Sequence, residues 1–337
     1  MNDKTLDKTA TEQFQEAHVT LSDTIILSPP RSQWLEIWDQ FTKHKGAMFG
    51  GALFLAILIA VIIGPSIWWV DAQYLPTGRD FIKLRDTRPI YNLIWDPSAK
   101  VNWLHPLGTD NLGRDTLARL LEGGQVSIAV GLTAMALSIL IGTFVGVISG
   151  FVRGLDGLLM RITDLFLALP LLPLILVASL LFREPLTKLF GVEGGVFFLI
   201  VSLIGVTSWM RTARVVRGDV LALKEREFIL AAQSIGTSSS KLVTRHMLPN
   251  LMSPIMVSAT LGIATAIITE SALSFLGFGF PPDFPTWGRL LNDSVDRMDL
   301  YPERVIWPGL LISLTVLSVN YLGDGLRDAL DPRIRGR

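Results

Sequence analysis

The sequence predicts an all-α membrane protein with six transmembrane helices and both termini in the cytoplasm. Half of its 337 residues are hydrophobic and only 18% are charged, whereas an ordinary soluble domain carries about a quarter charged residues. Six stretches of 17 to 27 residues contain no Asp, Glu, Lys or Arg, and a helix needs about 20 such residues to cross a bilayer. The predicted spans are Ala47–Val70, Val126–Val152, Leu165–Phe182, Gly194–Met210, Met247–Thr269 and Val305–Gly323.

The composition also excludes several classes of function. Basic and acidic residues are equal in number, 30 of each, so no net charge attracts nucleic acid and we expect no nucleic-acid partner. The absence of cysteine excludes disulfides, Cys-ligated metals and thiol catalysis. The sequence contains no Walker motif, no nucleophile elbow and no HExxH motif. We therefore expect no catalytic residue, metal site or cofactor, and predict that the chain is not an enzyme by itself.

The N-terminal region precedes the first uncharged stretch. Residues 1–30 are polar and lack periodicity, which predicts a mobile cytoplasmic tail. Residues 31–46 predict an amphipathic helix in the membrane interface, because apolar residues recur at helical spacing between basic residues. A helix that packs on a partner's cytoplasmic face would show the same pattern. The first transmembrane helix follows over residues 47–70. The apolar positions of the amphipathic helix are Trp34, Ile37, Trp38 and Phe41.

The distribution of lysine and arginine sets the predicted orientation. With the N-terminus inside, 18 of the 30 basic residues fall on the cytoplasmic side. The rest of the chain then divides into an external loop 71–125, a five-span core 126–323 that includes a cytoplasmic loop 211–247, and a cytoplasmic C-terminal tail 324–337.

Small residues recur at fixed spacing within the second span. Gly142, Gly146 and Gly150 fall four residues apart and form one stripe along a helix. Such a stripe lets two helix backbones approach closely where lipid supplies no hydrophobic drive for association. We expect a packing role for these glycines.

Ionisable residues lie within or beside two of the spans. Arg161 and Asp164 are three residues apart near the inner end of the third span, and we expect them to pair along one helix face. Glu270 is an acid late in an otherwise uncharged stretch, with Ser274 one turn later. A carboxylate within a span predicts a functional site, so Glu270 and Ser274 are candidates for the solute pathway or its gate. The alternative is that Glu270 reaches interfacial water and fixes a helix end.

The cytoplasmic loop 211–247 is the least membrane-like cytoplasmic stretch between spans. Its sequence predicts two short helices joined at Gly236, which suits a left-handed position at a helix C-terminus. Two short helices of this kind make a compact knob that docks a partner. The apolar side of the first helix is predicted to be formed by Phe228, Ile229, Ala232 and Ile235.

The spacing within this loop resembles the EAA loop of ABC importer permeases, which inserts into a cleft of the ATPase subunit. The resemblance rests on Ala231-Ala232, then Gly236, then Leu248-Pro249. Leu230 stands where the family has its leading Glu, and Glu227 is out of register. The resemblance implies ATPase-coupling roles for Glu227, Ala231, Ala232, Gly236, Leu248 and Pro249.

Further segments resemble the second permease subunit of the dipeptide/oligopeptide/nickel family, over roughly residues 30–335. This resemblance implies a type I ABC importer-like permease fold in a bacterial inner membrane. It also implies as partners a second permease subunit, two ATP-binding subunits and an external solute-binding protein. Trp287 falls in a region that faces the outer mouth in the family, so it is a third pathway or gate candidate. The segments are His105–Asp115, Asp164–Pro170, Glu270–Gly279 with Trp287-Gly288, and Gly323–Pro332.

The predicted function is half of a translocation pathway for di- or oligopeptides or a related small solute, driven by ATP hydrolysis on a partner. Nickel, a peptide-like antibiotic or an opine are open alternatives for the solute. A stand-alone secondary carrier or channel is the main alternative function, and it predicts more intramembrane charges than Glu270 alone. A membrane scaffold that transports no solute is the third possible function.

Overall fold

The computed structural model describes residues 33–330, and that part of the chain is almost entirely helical. The predicted tail 1–30 and the end of the tail 324–337 lie outside the described residues. The helices are α1 Gln33–Lys43, α2 Lys45–Ile67, α3 Gly78–Leu84, α4 Thr116–Phe151, α5 Arg153–Ala168, α6 Leu171–Lys224, α7 Glu227–Ser234, α8 Leu248–Phe275, α9 Trp287–Val295 and α10 Glu303–Leu330. A 3-10 helix spans Ile90–Ile94, and a short turn Ser239–Lys241 with a π-helical segment Leu242–Met247 precedes α8.

Five helices of the described chain are long and apolar enough to cross a membrane: α2, α4, α6, α8 and α10. The 54 residues of α6 would extend about 80 Å as one straight helix, far more than the roughly 30 Å of a hydrocarbon core. Gly191 interrupts α6 with a left-handed backbone, φ 78° and ψ 172°. The break divides α6 into two crossings, which gives the six predicted spans.

The start of the third span differs from the start that the sequence predicts. The uncharged stretch Leu165–Phe182 is not one helix, because α5 ends at Ala168 and α6 begins at Leu171. Leu169 is extended, with ψ 138°, since a residue that precedes proline is disfavoured in the helical region. The expected pair of Arg161 with Asp164 is wrong: Asp164 instead accepts a hydrogen bond from Arg214 on α6, at 2.5 Å.

The second span begins earlier than the uncharged stretch that predicted it. Asp115 caps α4, because its carboxylate accepts a hydrogen bond from the amide of Ala118 at 2.6 Å. The helix therefore starts at Thr116 and carries the buried Arg119 in its first turns. The absence of charge marked the wrong boundary, because α4 includes both Glu122 and Arg119, and Arg119 is paired with carboxylates of the protein.

The packing of α4 on α6 confirms the role expected for the glycine stripe. A Cβ atom added at Gly146 would lie 2.7 Å from the carbonyl oxygen of Ala213, and one at Gly142 would lie 2.7 Å from that of Trp209. At Gly150 it would lie 2.8 Å from the side chain of Val220. All three glycines therefore face the second half of α6, where hydrogen is the largest side chain that fits.

The helix α1 packs beside the far end of the last helix. His44 caps α2 by accepting a hydrogen bond from the amide of Ala47 at 2.9 Å, and its Nε2 lies 3.6 Å from Asp328 on α10. Trp38 is 61% exposed. The start of α2 and the end of α10 therefore lie at the same end of the helix bundle. The interfacial position of α1 stays a prediction.

Candidate functional sites

The segment between α6 and α8 forms a folded knob, as the sequence predicts, and it is anchored to both helices. Ile229 and Ala232 on α7 are buried, and they share one apolar cluster with Leu242 and Met247 from the segment before α8. Residues of the neighbouring helices complete this cluster: Val216 and Val220 on α6, and Leu251 and Ile255 on α8. The knob is therefore packed against the adjoining ends of two spans.

Gly236 ends α7 in the conformation predicted for it. Its φ is 81°, and its amide donates a hydrogen bond to the carbonyl oxygen of Gln233 at 2.9 Å. The amide of Thr237 donates to the carbonyl oxygen of Ala232 at 3.1 Å. These two bonds form a Schellman motif, which satisfies the last carbonyl groups of a helix. An added Cβ atom would meet nothing within 4 Å, so the backbone conformation and not space calls for glycine.

The apolar side predicted for α7 divides between two environments. Ile229 and Ala232 face the protein, whereas Phe228 is 46% exposed and Ile235 is 83% exposed. Leu230, at the place of the family's leading Glu, is 48% exposed. We call Phe228, Leu230 and Ile235 the outer face of the knob. Three exposed apolar side chains on a short helix and at its C-terminal end are typical of a surface that a protein partner covers.

The six coupling candidates lie in this knob or at its junction with α8. Ala232 is buried and Leu248 is half-buried. The π-helical segment continues into α8 without a break, so the knob is continuous with a span. The exposed candidates are Glu227, Ala231, Gly236 and Pro249.

The three pathway candidates come together at the other end of the bundle, in a buried polar cluster. Glu270 is fully buried and accepts hydrogen bonds from Ser274 at 2.7 Å and from Ser127 on α4 at 3.0 Å. Ser271 lies 3.4 Å from the same carboxyl group, and Thr286 is a further partner. The alternative interpretation, in which Glu270 reaches interfacial water, is wrong, because α4 and the segment before α9 cover the fully buried carboxyl group. The sequence did not identify Ser127 and Thr286 as partners of Glu270, since one lies far from Glu270 in the chain and the other in a separate segment.

Trp287 is buried at the start of α9 and joins this cluster through its backbone. Its amide donates a hydrogen bond to the hydroxyl of Ser127 at 3.2 Å, and its indole Nε1 donates to the carbonyl oxygen of Leu120 at 2.9 Å. Thr286 caps α9 by accepting from the amide of Arg289 at 3.1 Å. Glu270, Ser127 and Trp287 thus link α8, α4 and α9. Their assignment to the pathway or gate stays a prediction.

The segment before α4 is tied to α9 by a second set of buried charges, which sequence reasoning missed. Asp110 accepts hydrogen bonds from Arg114 at 2.7 Å and from Arg119 at 2.9 Å. Arg119 also lies 3.4 Å from Asp293 on α9. The signal in the sequence was the charged motif around residues 110–119, but nothing in it indicated Asp293. These pairs hold α9 over the end of α4.

The buried carboxyl of Glu270 supports a stability prediction. Glu270→Ala leaves the hydroxyl groups of Ser127 and Ser274 without their acceptor, so we expect it to lower the free energy of unfolding by about 1–3 kcal/mol. Glu270→Gln retains an acceptor oxygen and should cost less than Glu270→Ala. Thermal unfolding of the detergent-solubilised protein measures both, with the exposed Glu225→Ala as the matched control. Equal unfolding temperatures for Glu270→Ala and Glu225→Ala would contradict a bonded cluster.

Comparison with known protein families matches two parts of the chain. Residues 130–336 match the family "Binding-protein-dependent transport system inner membrane component", and residues 32–84 match the "N-terminal TM domain of oligopeptide transport permease C". The chain belongs to the first of these families. It is a permease subunit of an ABC importer, which confirms the predicted class, and the stand-alone carrier or channel gains no support.

Curated relatives extend the similarity over nearly the whole chain. The chain is 36% identical over 305 residues to "Oligopeptide transport system permease protein OppC" of Bacillus subtilis (strain 168), covering 90% of this chain and 91% of that protein. It is 34% identical to "Dipeptide transport system permease protein DppC" of Alkalihalophilus pseudofirmus, with coverage of 90% and 91%. It is 36% identical to "Glutathione transport system permease protein GsiD" of Pectobacterium atrosepticum, with coverage of 90% and 93%. These matches confirm the predicted subfamily.

A solved structure of a methionine importer, "Inward facing conformations of the MetNI methionine ABC transporter: CY5 SeMet soak crystal form", shows the same fold. The likeness covers 63% of this chain and 96% of that chain, with a TM-score of 0.51. Sequence identity is 18%, so this likeness concerns the fold alone. It confirms the predicted ABC importer-like permease fold.

Proposed function

We propose that this chain forms half of the solute pathway of an ATP-driven importer for di- or oligopeptides. A second permease subunit forms the other half, two ATP-binding subunits supply the energy and an external solute-binding protein delivers the solute. The named relatives support peptides over nickel or opines, because oligopeptides, dipeptides and glutathione all carry amide bonds and carboxylates. The observation that carries the proposal is the knob, which presents an uncovered apolar face while its inner side is fixed to two spans.

In this mechanism the outer face of the knob sits in a cleft of an ATP-binding subunit. Closure of the two ATP-binding subunits on ATP displaces the knob. Because Ile229 and Met247 pack in one cluster with residues of α6 and α8, the displacement tilts the inner ends of these spans. The chain then alternates between two global states, and ATP favours one state by the difference in its affinity for the two.

The proposed orientation places the knob, the N-terminus and the C-terminus on the cytoplasmic side of a bacterial inner membrane. The excess of lysine and arginine on that side supports this orientation. The contact of His44 with Asp328 also supports it, since it brings the start of the first span and the end of the last span to the same side.

The test is ATP-driven uptake by the reconstituted importer. Vesicles that contain both permeases and the ATP-binding subunits, supplied with the binding protein and ATP, are expected to accumulate radiolabelled trialanine. Vesicles with this chain alone are expected to take up none, with or without an ion gradient. Uptake by the chain alone, or equal uptake by the complete importer with and without ATP, would refute the proposal.

A further inference from the structure

A cavity of about 370 Å³ opens between α4, α6 and α8 near the junction of α5 and α6. Part of its lining is apolar, from Met135, Phe166 and Leu261 among others. Polar side chains of two spans line the rest: Thr207, Ser208 and Arg211 from α6, and Ser258 and Thr265 from α8. The hydroxyls of Thr207 and Thr265 donate to the backbone of their own helices, but the Arg211 side chain does not suit a lipid-facing surface, because a charge in hydrocarbon is costly. This side of the subunit therefore faces water, solute or the proposed second permease subunit.

Arg211 differs from the two arginines that follow it on α6. Arg214 and Arg217 each pair with a carboxylate of α5, Arg214 with Asp164 and Arg217 with Asp156, both at 2.5 Å. Hydrogen bonds from Arg217, and then from Ser149, lower the pKa of Asp156 to about 2, so that pair stays ionised at neutral pH.

The side chain of Arg211 makes no ion pair or hydrogen bond within residues 33–330, and it is exposed where it lines the cavity. A guanidinium group is always charged and matches a carboxylate with two parallel hydrogen bonds. An unpaired arginine beside a polar cavity, at the end of a predicted span, indicates an anionic partner outside the described residues of this chain.

We propose that Arg211 binds the carboxylate of a solute as it passes through this cavity, with the hydroxyls of Ser208 and Ser258 available to the solute's amide groups. Neither hydroxyl makes a side-chain hydrogen bond elsewhere in the described chain. This inference rests on the proposed function and adds a specificity residue to it: the pathway selects solutes with a free carboxylate independently of the binding protein. A lipid phosphate offers similar chemistry, and the experiment below separates the two.

The chain contains no cysteine, which allows a charge-replacement experiment on the complete importer. We expect Arg211→Cys to lower ATP-driven uptake of trialanine by about tenfold, the value of one charge-assisted hydrogen bond. Reaction of this cysteine with a methanethiosulfonate that carries an ethylammonium group restores the positive charge and should restore most of the uptake. The matching ethylsulfonate reagent should not. Arg211→Lys keeps the charge and should retain more uptake than Arg211→Cys.

Two controls make the outcome specific. Arg161→Cys, on an exposed residue of α5 that does not line the cavity, should leave uptake unchanged with either reagent, and the wild-type importer controls for cysteines of the partners. Trialanine with ATP and the binding protein should slow the labelling of residue 211. The inference would be overturned by any of three results: wild-type uptake by Arg211→Cys, equal rescue by both reagents, or labelling that trialanine does not slow. A lipid phosphate bound to Arg211 predicts the last of these results. If the wild-type importer itself takes up no trialanine, the proposed function fails instead.

Discussion

Replacement of Gly146 by leucine is expected to prevent α4 and α6 from packing and to abolish the folded protein. A single Cβ atom at this position would already lie 2.7 Å from the backbone oxygen of Ala213 and 2.8 Å from Cβ of Val216. Neither atom is the flexible end of a side chain, so the helices must separate along their whole contact. Overpacking usually costs about 1–3 kcal/mol, and the loss of the α4–α6 contact adds to that. The yield and thermal unfolding of the detergent-solubilised protein measure the effect.

The matched control is Gly218→Ala, on the inner part of α6. A Cβ atom there would meet nothing within 4 Å, and alanine favours a helix over glycine by about 1 kcal/mol. We therefore expect Gly218→Ala to leave the unfolding temperature unchanged or to raise it. Normal yield and stability of Gly146→Leu would show that the close approach of α4 and α6 is not required.

Replacement of Gly236 by valine is expected to abolish ATP-driven uptake while the spans remain folded. A residue with a Cβ atom pays about 1–2 kcal/mol to adopt the left-handed conformation found there, and a β-branched residue is especially disfavoured. The Schellman bonds of Gly236 and Thr237 are then lost, and the end of α7 carries Ile235 away from its place on the outer face. Because the space around Gly236 is open, no clash spreads the change to the spans. Uptake of trialanine by the reconstituted importer and thermal unfolding are measured together.

Gly236→Asn separates conformation from side-chain size, since asparagine adopts the left-handed region more readily than other residues. It should retain most of the uptake that Gly236→Val loses. Deletion of residues 231–236 should abolish coupling completely. Wild-type uptake by either Gly236→Val or the deletion would refute the role of the knob. A large fall in the unfolding temperature of Gly236→Val would instead place the damage in the fold.

The spans and the knob were predictable because their signals are local. The six uncharged stretches follow from the cost of a charge in hydrocarbon, which acts at each position separately. The packing role of Gly146 and its neighbours follows from spacing along one helix, and the helix-end role of Gly236 follows from its position after α7. The predicted boundaries of the spans were less accurate. The second span was predicted to begin at Val126, after Glu122, although α4 begins at Thr116, and Pro170 divides a stretch that reads as continuous.

The partners of charged and polar groups were not predictable from one sequence. Asp164 was expected to pair with Arg161, three residues away, but it pairs with Arg214 on another helix. Glu270 was recognised as a site, yet its bond to Ser127 depends on where α4 passes α8. Arg211 does not stand out in the sequence, where it is one of several basic residues in a cytoplasmic loop. The structure distinguishes Arg211 because Arg214 and Arg217 on the same helix each pair with a carboxylate, whereas Arg211 does not.

The amino-acid order alone established that the chain crosses a membrane six times, that glycines permit its helices to approach and that a knob interrupts the later spans, since each of these follows from interactions within a few helical turns. The folded arrangement alone decided which polar groups are enclosed with Glu270, which side of α7 is left uncovered and that Arg211, unlike Arg214 and Arg217, has no carboxylate partner among the described residues. The bonds of Glu270, Asp164 and Asp156 join residues more than forty positions apart, and the covered side of α7 contacts residues of α6 and α8; such contacts are set by how the helices pack as a whole.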